Sequence, residues 1–527
     1  MTPPPPLQTR LITTAIPYVN ARPHLGFAME LVLADVMARH HRLRGTQVRF
    51  LTGTDENSLK NVRAAEAEGV STADLVDRNA AAFEDLRLVL DLSFDDFIRT
   101  SAEARHRRGV ERLWRACEAA GDIYKRTYRG LYCVGCEHFF SEDELDTRGC
   151  CPEHGVPPEP VEEENYFFRL SKYQKSIESL LAREELAVQP ENYRRELLNF
   201  VRRGLEDFSI SRSATRAAGW GIPVPGDPTQ VMYVWFDALG NYISALDYER
   251  DGELFRRFWG PKARRTHVIG KGITRFHAVY WPAMLLSAGL ALPSELIVHG
   301  YLTVDGQKIG KSLGNAVDPR AIVDEFGCDP LRYYLCRHVR SGRDGDFSTA
   351  RLAQARESEL GNQLGNLLHR SVAMIERWYG GRVPAPYDEA RSEALESAAV
   401  RAGWDYAAAM EDSRLDAALD AIWSLVDAAN HHVVDHAPWT LAKRRTEDER
   451  TEARLATSLY ELAEALRLIS RWLTPFMPTT AARLREQLGL EVLTPLARDL
   501  DGWGGLAPQT RLRPGPPLFP RTLETGS

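Results

Sequence analysis

Two strand-like runs, RLITTAI (residues 10–16) and VRFLTGTDE (residues 48–56, ending in a polar turn), bracket one long helical pattern, and that order constrains the fold more than any other feature. Residues 11–16 read as a buried strand. Met29, Val32, Val36 and Leu43 then fall on one stripe of a helix over residues 27–44, and Gly45 suits its C-terminal cap. A β-α-β order predicts a parallel sheet with right-handed crossovers, because parallel neighbours need a connection that packs back onto the sheet.

A chain of 527 residues is too long for a single core and should divide into several domains. From residue 117 to 228 the character changes, with clustered cysteines, many charges and the turn-rich GWGIPVPGDP, as expected of an inserted module. Strand-like patterns resume in VMYVWFDAL and THVIG, a helix follows through FHAVYWPAMLLSAGL, and SELIVHGYLTV reads as another strand. After RDGDFS the pattern is helical to about residue 490, and the Pro-rich end reads as an irregular tail.

Composition excludes little but usefully. No apolar run approaches twenty residues, so no membrane span is expected, and MTPPPPLQTR has no apolar signal region, which places the protein in the cytoplasm by default. A net charge of −7 argues against non-specific coating of nucleic acid but leaves room for a local basic surface. Seven cysteines, four of them between Cys133 and Cys151, argue for a metal rather than a disulfide framework. Cys133-x2-Cys136 and Cys151-x2-His154 can close a tetrahedron around zinc with no position left for water, hence a structural site. Cys150 is the alternative to Cys151; the Cys-Pro-x-His spacing favours Cys151.

His24 and Gly26 stand where the first strand passes into the helix. That edge of an open parallel sheet collects ligands, and a helix N-terminus there favours anions. A histidine at a helix start also often does no more than satisfy the helix. The stretch DGQKIGKSLGN, residues 305–315, sets Lys308 and Lys311 in a glycine-rich loop with Ser312 behind them. Such lysines suit a polyphosphate whose charge must be neutralised in the transition state, and equally suit a solvated surface run.

Together these residues resemble a class I aminoacyl-tRNA synthetase, specifically the methionyl-tRNA synthetase family. The family's His-x-Gly-His reads His24-Leu25-Gly26-Phe27 here, and its Lys-Met-Ser-Lys-Ser reads Lys308-Ile309-Gly310-Lys311-Ser312. TTAIPYVN, GTDE, the cysteine knuckle, YVWFDAL, RFHAVYWPAML, DGDFS and LTPFMPTTAARLREQLG follow in family order over nearly the whole chain.

The resemblance implies an α/β fold: a Rossmann-type parallel sheet with a zinc-bearing insertion, followed by an all-α anticodon-binding domain. The implied boundaries are 1–115 and 233–300 for the two halves of the catalytic domain, 116–232 for the insertion, 301–355 for a stem-contact region, 356–505 for the helical domain and 506–527 for the tail. The implied reaction is methionine--tRNA ligation: ATP, with Mg²⁺, and methionine give an adenylate, and the acyl group passes to tRNA. His24, Lys308 and Lys311 would be catalytic, and Gly26, Gly270 and Ser312 would join them around ATP. Asp55 would hold the α-ammonium. Ile16, Tyr18, Trp235, Ala238, Leu239 and Tyr242, with Ile273, His277 and Trp281, would line the side-chain pocket, since sulfur packs well at ring edges. Asn366 and Arg370, four apart on one helix face, and Trp439 would read the anticodon. No sign of the extra C-terminal tRNA-binding module of dimeric members is present, so a monomer is expected.

Four departures gather at the chemistry. Phe27 replaces the second signature histidine, Gly272 stands where the family usually has aspartate, KIGKS replaces the methionine and serine between the lysines, and GTDENS replaces the commoner Gly-Thr-Asp-Glu-His-Gly. They leave two other readings open. One is a biosynthetic relative that passes the acyl group to a small molecule; the other is a non-catalytic tRNA-binding protein.

Overall fold

The computed structural model describes residues 8–135, 138–140, 144–152, 155–304, 306–309, 316–490, 493 and 502–520. The chain divides into two compact units: residues 1–34, 47–88 and 92–300 form the first, and residues 35–46, 89–91 and 301–527 the second.

The first unit is built on a six-stranded sheet of β1 (Thr9–Thr14), β2 (Gln47–Thr54), β3 (Asp96–Arg99), β4 (Ala187–Gln189), β5 (Arg264–Gly270) and β6 (Glu295–His299). The order across it is β3-β2-β1-β5-β6-β4, and every pairing is parallel. The parallel sheet expected from the β-α-β order is therefore present. A parallel sheet is covered on both faces, which is why the last four residues of β1 and the last five of β2 are buried in succession and not alternately. Helix α1 (Leu25–Leu43) begins two residues earlier than its apolar stripe suggests. It ends where foreseen, with Gly45 in the left-handed region (φ 79°) and the Gly45 and Thr46 N–H groups donating to the carbonyls of Arg42 and His41.

Between β3 and β5 the chain builds two antiparallel sheets, one of four strands around residues 123–133 and 159–168, one of three strands ending at Met232. It also lends β4 to the edge of the main sheet, beside β6.

Two strand expectations are corrected. VMYVWFDAL is a strand only to Met232; Val234–Leu239 is a short helix, and Asn241–Ser244 another. Its β-branched and aromatic residues carry strand propensity, but packing of the buried Val234, Phe236, Ala238 and Leu239 decides the conformation. SELIVHGYLTV is two strands, β6 and Leu302–Val304, and the second belongs to a separate three-stranded sheet in the second unit.

The rest of the second unit is helical. Its longest helix, Glu449–Leu473, is buried from Leu455 to Leu473 on every side, as a central helix should be. The buried Glu464 of that helix accepts the N–H groups of Gly504, Gly505 and Leu506 at 2.7–3.0 Å, so the irregular tail is pinned at its start. No helix among the described residues is long and apolar enough to cross a membrane.

Candidate active site

The carboxyl edge of the first unit's sheet gathers most of the expected residues. His24 precedes α1, and its carbonyl accepts the N–H groups of Phe27 (3.0 Å) and Ala28 (3.1 Å), which starts the helix. Its ring Nδ1 accepts the Gly26 N–H at 3.1 Å. That bond places the ring proton on Nε2, which makes no hydrogen bond to a described residue. Burial lowers the pKa below the ordinary histidine value, so the imidazole is a neutral donor at neutral pH.

Phe27 is not aligned with this chemistry. Its ring meets Phe83 edge-on, 5.0 Å between centroids, within an apolar cluster that includes Val19, Val76 and Ala80. The residue that departs from the family signature is absorbed into local packing.

Downstream on α1, Glu30 ties the sheet edge together. One carboxylate oxygen accepts the Ala15 N–H at 2.9 Å and the other the His299 Nε2–H at 2.7 Å, while His299 Nδ1–H donates to the Gly300 carbonyl at 2.8 Å. Burial pulls the His299 pKa down, but the bond to Glu30 and its charge outweigh that and hold the ring above its ordinary value. Gly270 ends β5 beside it; an added Cβ there would lie 3.5 Å from the imidazole, an ordinary contact.

β2 ends in the turn that carries Asp55. Gly53 is needed because a Cβ there would collide with the Ile98 carbonyl of β3. Asp55 is buried and donates its N–H to the Pro17 carbonyl at 2.8 Å, while Tyr18 bridges to it in parallel register. Glu56, fully buried, locks the turn: it accepts from Thr54 (2.8 Å), from Arg99 (2.7 Å) and from Ser101, and its N–H donates to Thr100 Oγ1 at 2.8 Å. Trp220 Nε1–H closes it by donating to the Glu56 carbonyl at 2.7 Å. The two residues that depart from the commoner motif have local work. Ser58 caps helix Leu59–Glu68 by accepting the Lys60 N–H at 3.0 Å, and Asn57 donates to Asp237 at 2.7 Å.

The aromatic residues divide into two contiguous groups. Tyr18 and Trp235 share a cluster with Tyr132, Tyr233 and Val234, and Trp235 stacks flat on Phe276 at 3.7 Å and 5°. Ile16, Leu239, Tyr242, Ile273 and Trp281 belong to the main core cluster, and the buried Ala238 lies on the same short helix as Leu239. Tyr242 lies 6.1 Å from Trp281 between centroids and donates its hydroxyl to His277 Nε2 at 2.7 Å. The direction follows from the other nitrogen, since His277 Nδ1–H donates to the Ile273 carbonyl at 2.9 Å. Burial drives His277 down to about 4 and raises Tyr242, so both are neutral over the physiological range. His277 rides on a π-helical turn, Phe276–Tyr280, a distortion often found at functional sites. Gly272 is exposed in the 3₁₀ turn just before it.

Glu56, Glu30, His299, Phe276 and the fully buried His267, whose Nδ1 bonds Thr13 Oγ1 at 2.7 Å and whose ring lies 4.2 Å from Tyr242, escaped sequence reasoning. A recurrent signal exists for Glu56, in the GTDE tag, and for Phe276, in RFHAVYWPAML; the others become visible through pairs far apart in the chain.

Of the three residues expected to act from the phosphate loop, Lys308 is described only in its backbone, in strand Gln307–Lys308; Lys311 and Ser312 lie outside the described residues. The cysteine knuckle is half described. Cys133, at the end of a strand, and Cys151 are both fully buried, and Cys136 and His154 lie outside the described residues. Cys151 N–H donates to the Val156 carbonyl and its carbonyl accepts the Gly155 N–H, closing a tight turn, whereas Cys150 is only partly covered. Among the described residues no group of three or more histidines, cysteines and carboxylates surrounds a metal position.

In the second unit Asn366 and Arg370 open helix Asn366–Tyr379, both exposed. That helix contacts helix Pro438–Arg444, on which Trp439 is 46% exposed. The three residues expected to act together thus lie on touching helices, open to solvent.

A family model described as tRNA synthetases class I (M) matches residues 10–158 and 154–372. Methionine--tRNA ligase of Thermotoga maritima is 42% identical over 512 residues, 96% of this chain and 79% of the relative. That of Brucella suis biovar 1 is 43% identical over 525 residues, 97% and 98%. Mycobacterium tuberculosis methionyl-tRNA synthetase in complex with methionyl-adenylate matches with a TM-score of 0.92 at 40% identity, covering 98% of this chain and all of that one. Its apo, free-state form matches at 0.85 and 38% identity.

Proposed function

The chain belongs to the class I methionyl-tRNA synthetases, and from that premise we propose which of its residues perform each part of the reaction. It is a methionine--tRNA ligase: ATP and methionine give methionyl-adenylate and pyrophosphate, and the methionyl group then passes to tRNA. The observation that carries the assignment is the His24 ring at the start of α1, its Nδ1 taken by the Gly26 N–H so that Nε2 is left as the donor.

Methionine's α-ammonium is held by the buried Asp55 carboxylate. Its thioether packs among Tyr242, Trp281, Ile16 and Leu239, with Tyr18 and Trp235 closing the pocket. The Tyr242 proton is committed to His277, so no competing donor penalises a weakly accepting sulfur. His24 donates Nε2–H to a phosphoryl oxygen of Mg²⁺-bound ATP, Gly26 and Gly270 let the nucleotide approach the backbone, and Lys308, Lys311 and Ser312 receive the departing pyrophosphate. The carboxylate of methionine attacks the α-phosphorus, and the bond to pyrophosphate breaks. The setting proposed for this reaction is the cytoplasm.

Asn366, Arg370 and Trp439 read the anticodon by hydrogen bonding and stacking. Trp439→Ala should raise the KM for tRNA about ten- to a hundredfold, the worth of one stacked base, and leave methionine-dependent pyrophosphate exchange unchanged. Equal losses in both assays would contradict the division of labour and remove Trp439 from tRNA recognition.

The knuckle holds one structural zinc through Cys133, Cys136, Cys151 and His154. Two buried thiols, one of them on a tight turn, fit such an ion, and its chemistry there is to cross-link the insertion. Elemental analysis should find about one zinc per chain, lost in Cys151→Ala and kept in Cys150→Ala. The reverse pattern would transfer the ligand role to Cys150.

A further inference from the structure

Beneath the amino-acid site runs a buried polar chain that the reaction does not use. Asn57 Nδ2–H donates to one oxygen of Asp237 at 2.7 Å, and His106 Nε2–H donates to the other at 2.5 Å. His106 Nδ1 then meets Ser244 Oγ at 2.8 Å. His106, Asp237 and Ser244 are fully buried. Two donors converge on the carboxylate, and the remaining ring nitrogen pairs with the Ser244 hydroxyl, whose oxygen also lies 3.3 Å from the Asn241 carbonyl.

The chain joins three elements. Asn57 follows the Asp55 turn. His106 comes from helix Ala104–Ala119. Asp237 and Ser244 come from the short helices that carry Trp235, Ala238, Leu239 and Tyr242. The packing around it is equally close: a Cβ on Gly109 would lie 2.6 Å from the Ser244 Cβ, and one on Gly240 2.8 Å from Val110 Cγ2. Helix 104–119 is therefore seated directly on the pocket helices, and Asp237 is the point where the turn is fastened to both.

We propose that Asn57, Asp237, His106 and Ser244 form a positioning device that fixes the separation between the ammonium-holding turn and the side-chain pocket, and so sets the length of amino acid accepted. The inference rests on the reading that Asp55 holds the α-ammonium. A substrate is gripped at two points, and a rigid separation rewards the thioether whose length matches it. Asn57 stands where the family commonly has histidine, and it keeps the one feature the link needs, an N–H directed at Asp237.

The test is pyrophosphate exchange with methionine, S-methylcysteine (one methylene shorter) and ethionine (one longer). Asn57→Ala should raise the KM for methionine about tenfold, leave kcat and the KM for ATP within about twofold, and narrow the preference for methionine over both analogues. Asn57→His, which restores the donor, should recover the methionine KM. Ser244→Ala, one bond further away, should move it in the same direction by less, and it serves if Asn57→Ala fails to fold. Asp55→Asn is run beside them. If it leaves the methionine KM unchanged, the reading of Asp55 fails. If it raises that KM while Asn57→Ala and Ser244→Ala do not, the positioning device alone is refuted. A parallel loss in kcat and both KM values, or unchanged analogue ratios, also refutes it, because a merely structural role would act in that way.

Discussion

His24→Ala is expected to lower kcat for methionine-dependent pyrophosphate exchange by about 10²–10³-fold, the usual loss for one preorganised donor to developing charge. Folding should survive. The bonds that start α1 run to the His24 carbonyl, not to its ring, and the substitution removes only the acceptor for Gly26 N–H, a loss of about 1 kcal/mol. The effect is undiluted because the imidazole works alone: the second signature position is Phe27, packed against Phe83. A melting temperature near that of the parent together with the collapsed kcat is the expected pair of readings. A kcat within a few-fold of the parent would transfer phosphate binding away from His24.

Asp55→Ala should be comparably severe but differently distributed. A buried carboxylate facing an ammonium is a desolvated charge pair, and removing one partner leaves the other uncompensated at about 3–5 kcal/mol. In kcat/KM for methionine that is about 10² to 4 × 10³-fold. The KM for ATP should hardly change, because Asp55 belongs to the turn after β2, bound to Pro17 and Tyr18 and steadied by Glu56, and not to the His24 turn. Initial-rate exchange with each substrate varied in turn separates the two; a loss shared equally between methionine and ATP would point to collapse of the turn instead.

How much of this was legible beforehand follows from the range of the interactions. The strand–helix–strand opening, the His24 turn and the Asp55 turn are local: their period, cap and glycine positions are set within about ten residues. VWFDAL misled because its β-branched and aromatic residues carry strand propensity, while its helix is decided by burial against distant elements. SELIVHGYLTV hid a break after His299 that separates one sheet from another. The strand of residues 187–189, lying deep in the cysteine-bearing segment yet paired with β6, has no local mark of its partner. The same holds in the site. Tyr242 and His277 were named for their chemistry, but the bond between them and the Ile273 carbonyl that fixes its direction depend on a π-helical turn with no evident signature. His106 looked like one more polar residue on an amphipathic helix until Asp237 and Ser244 closed around it, more than 130 positions away. Phe27 gives the converse lesson: the departure was plain in the sequence, and its meaning, an aromatic spent on packing, required its neighbours.

That this chain activates methionine despite Phe27, Gly272 and the KIGKS loop is tested most directly by pyrophosphate exchange with the unaltered protein, each proteinogenic amino acid supplied in turn. Exchange that depends on methionine, and that no other amino acid supports at comparable kcat/KM, is the predicted result. Absence of exchange with methionine, or a higher kcat/KM with a different amino acid, would contradict it.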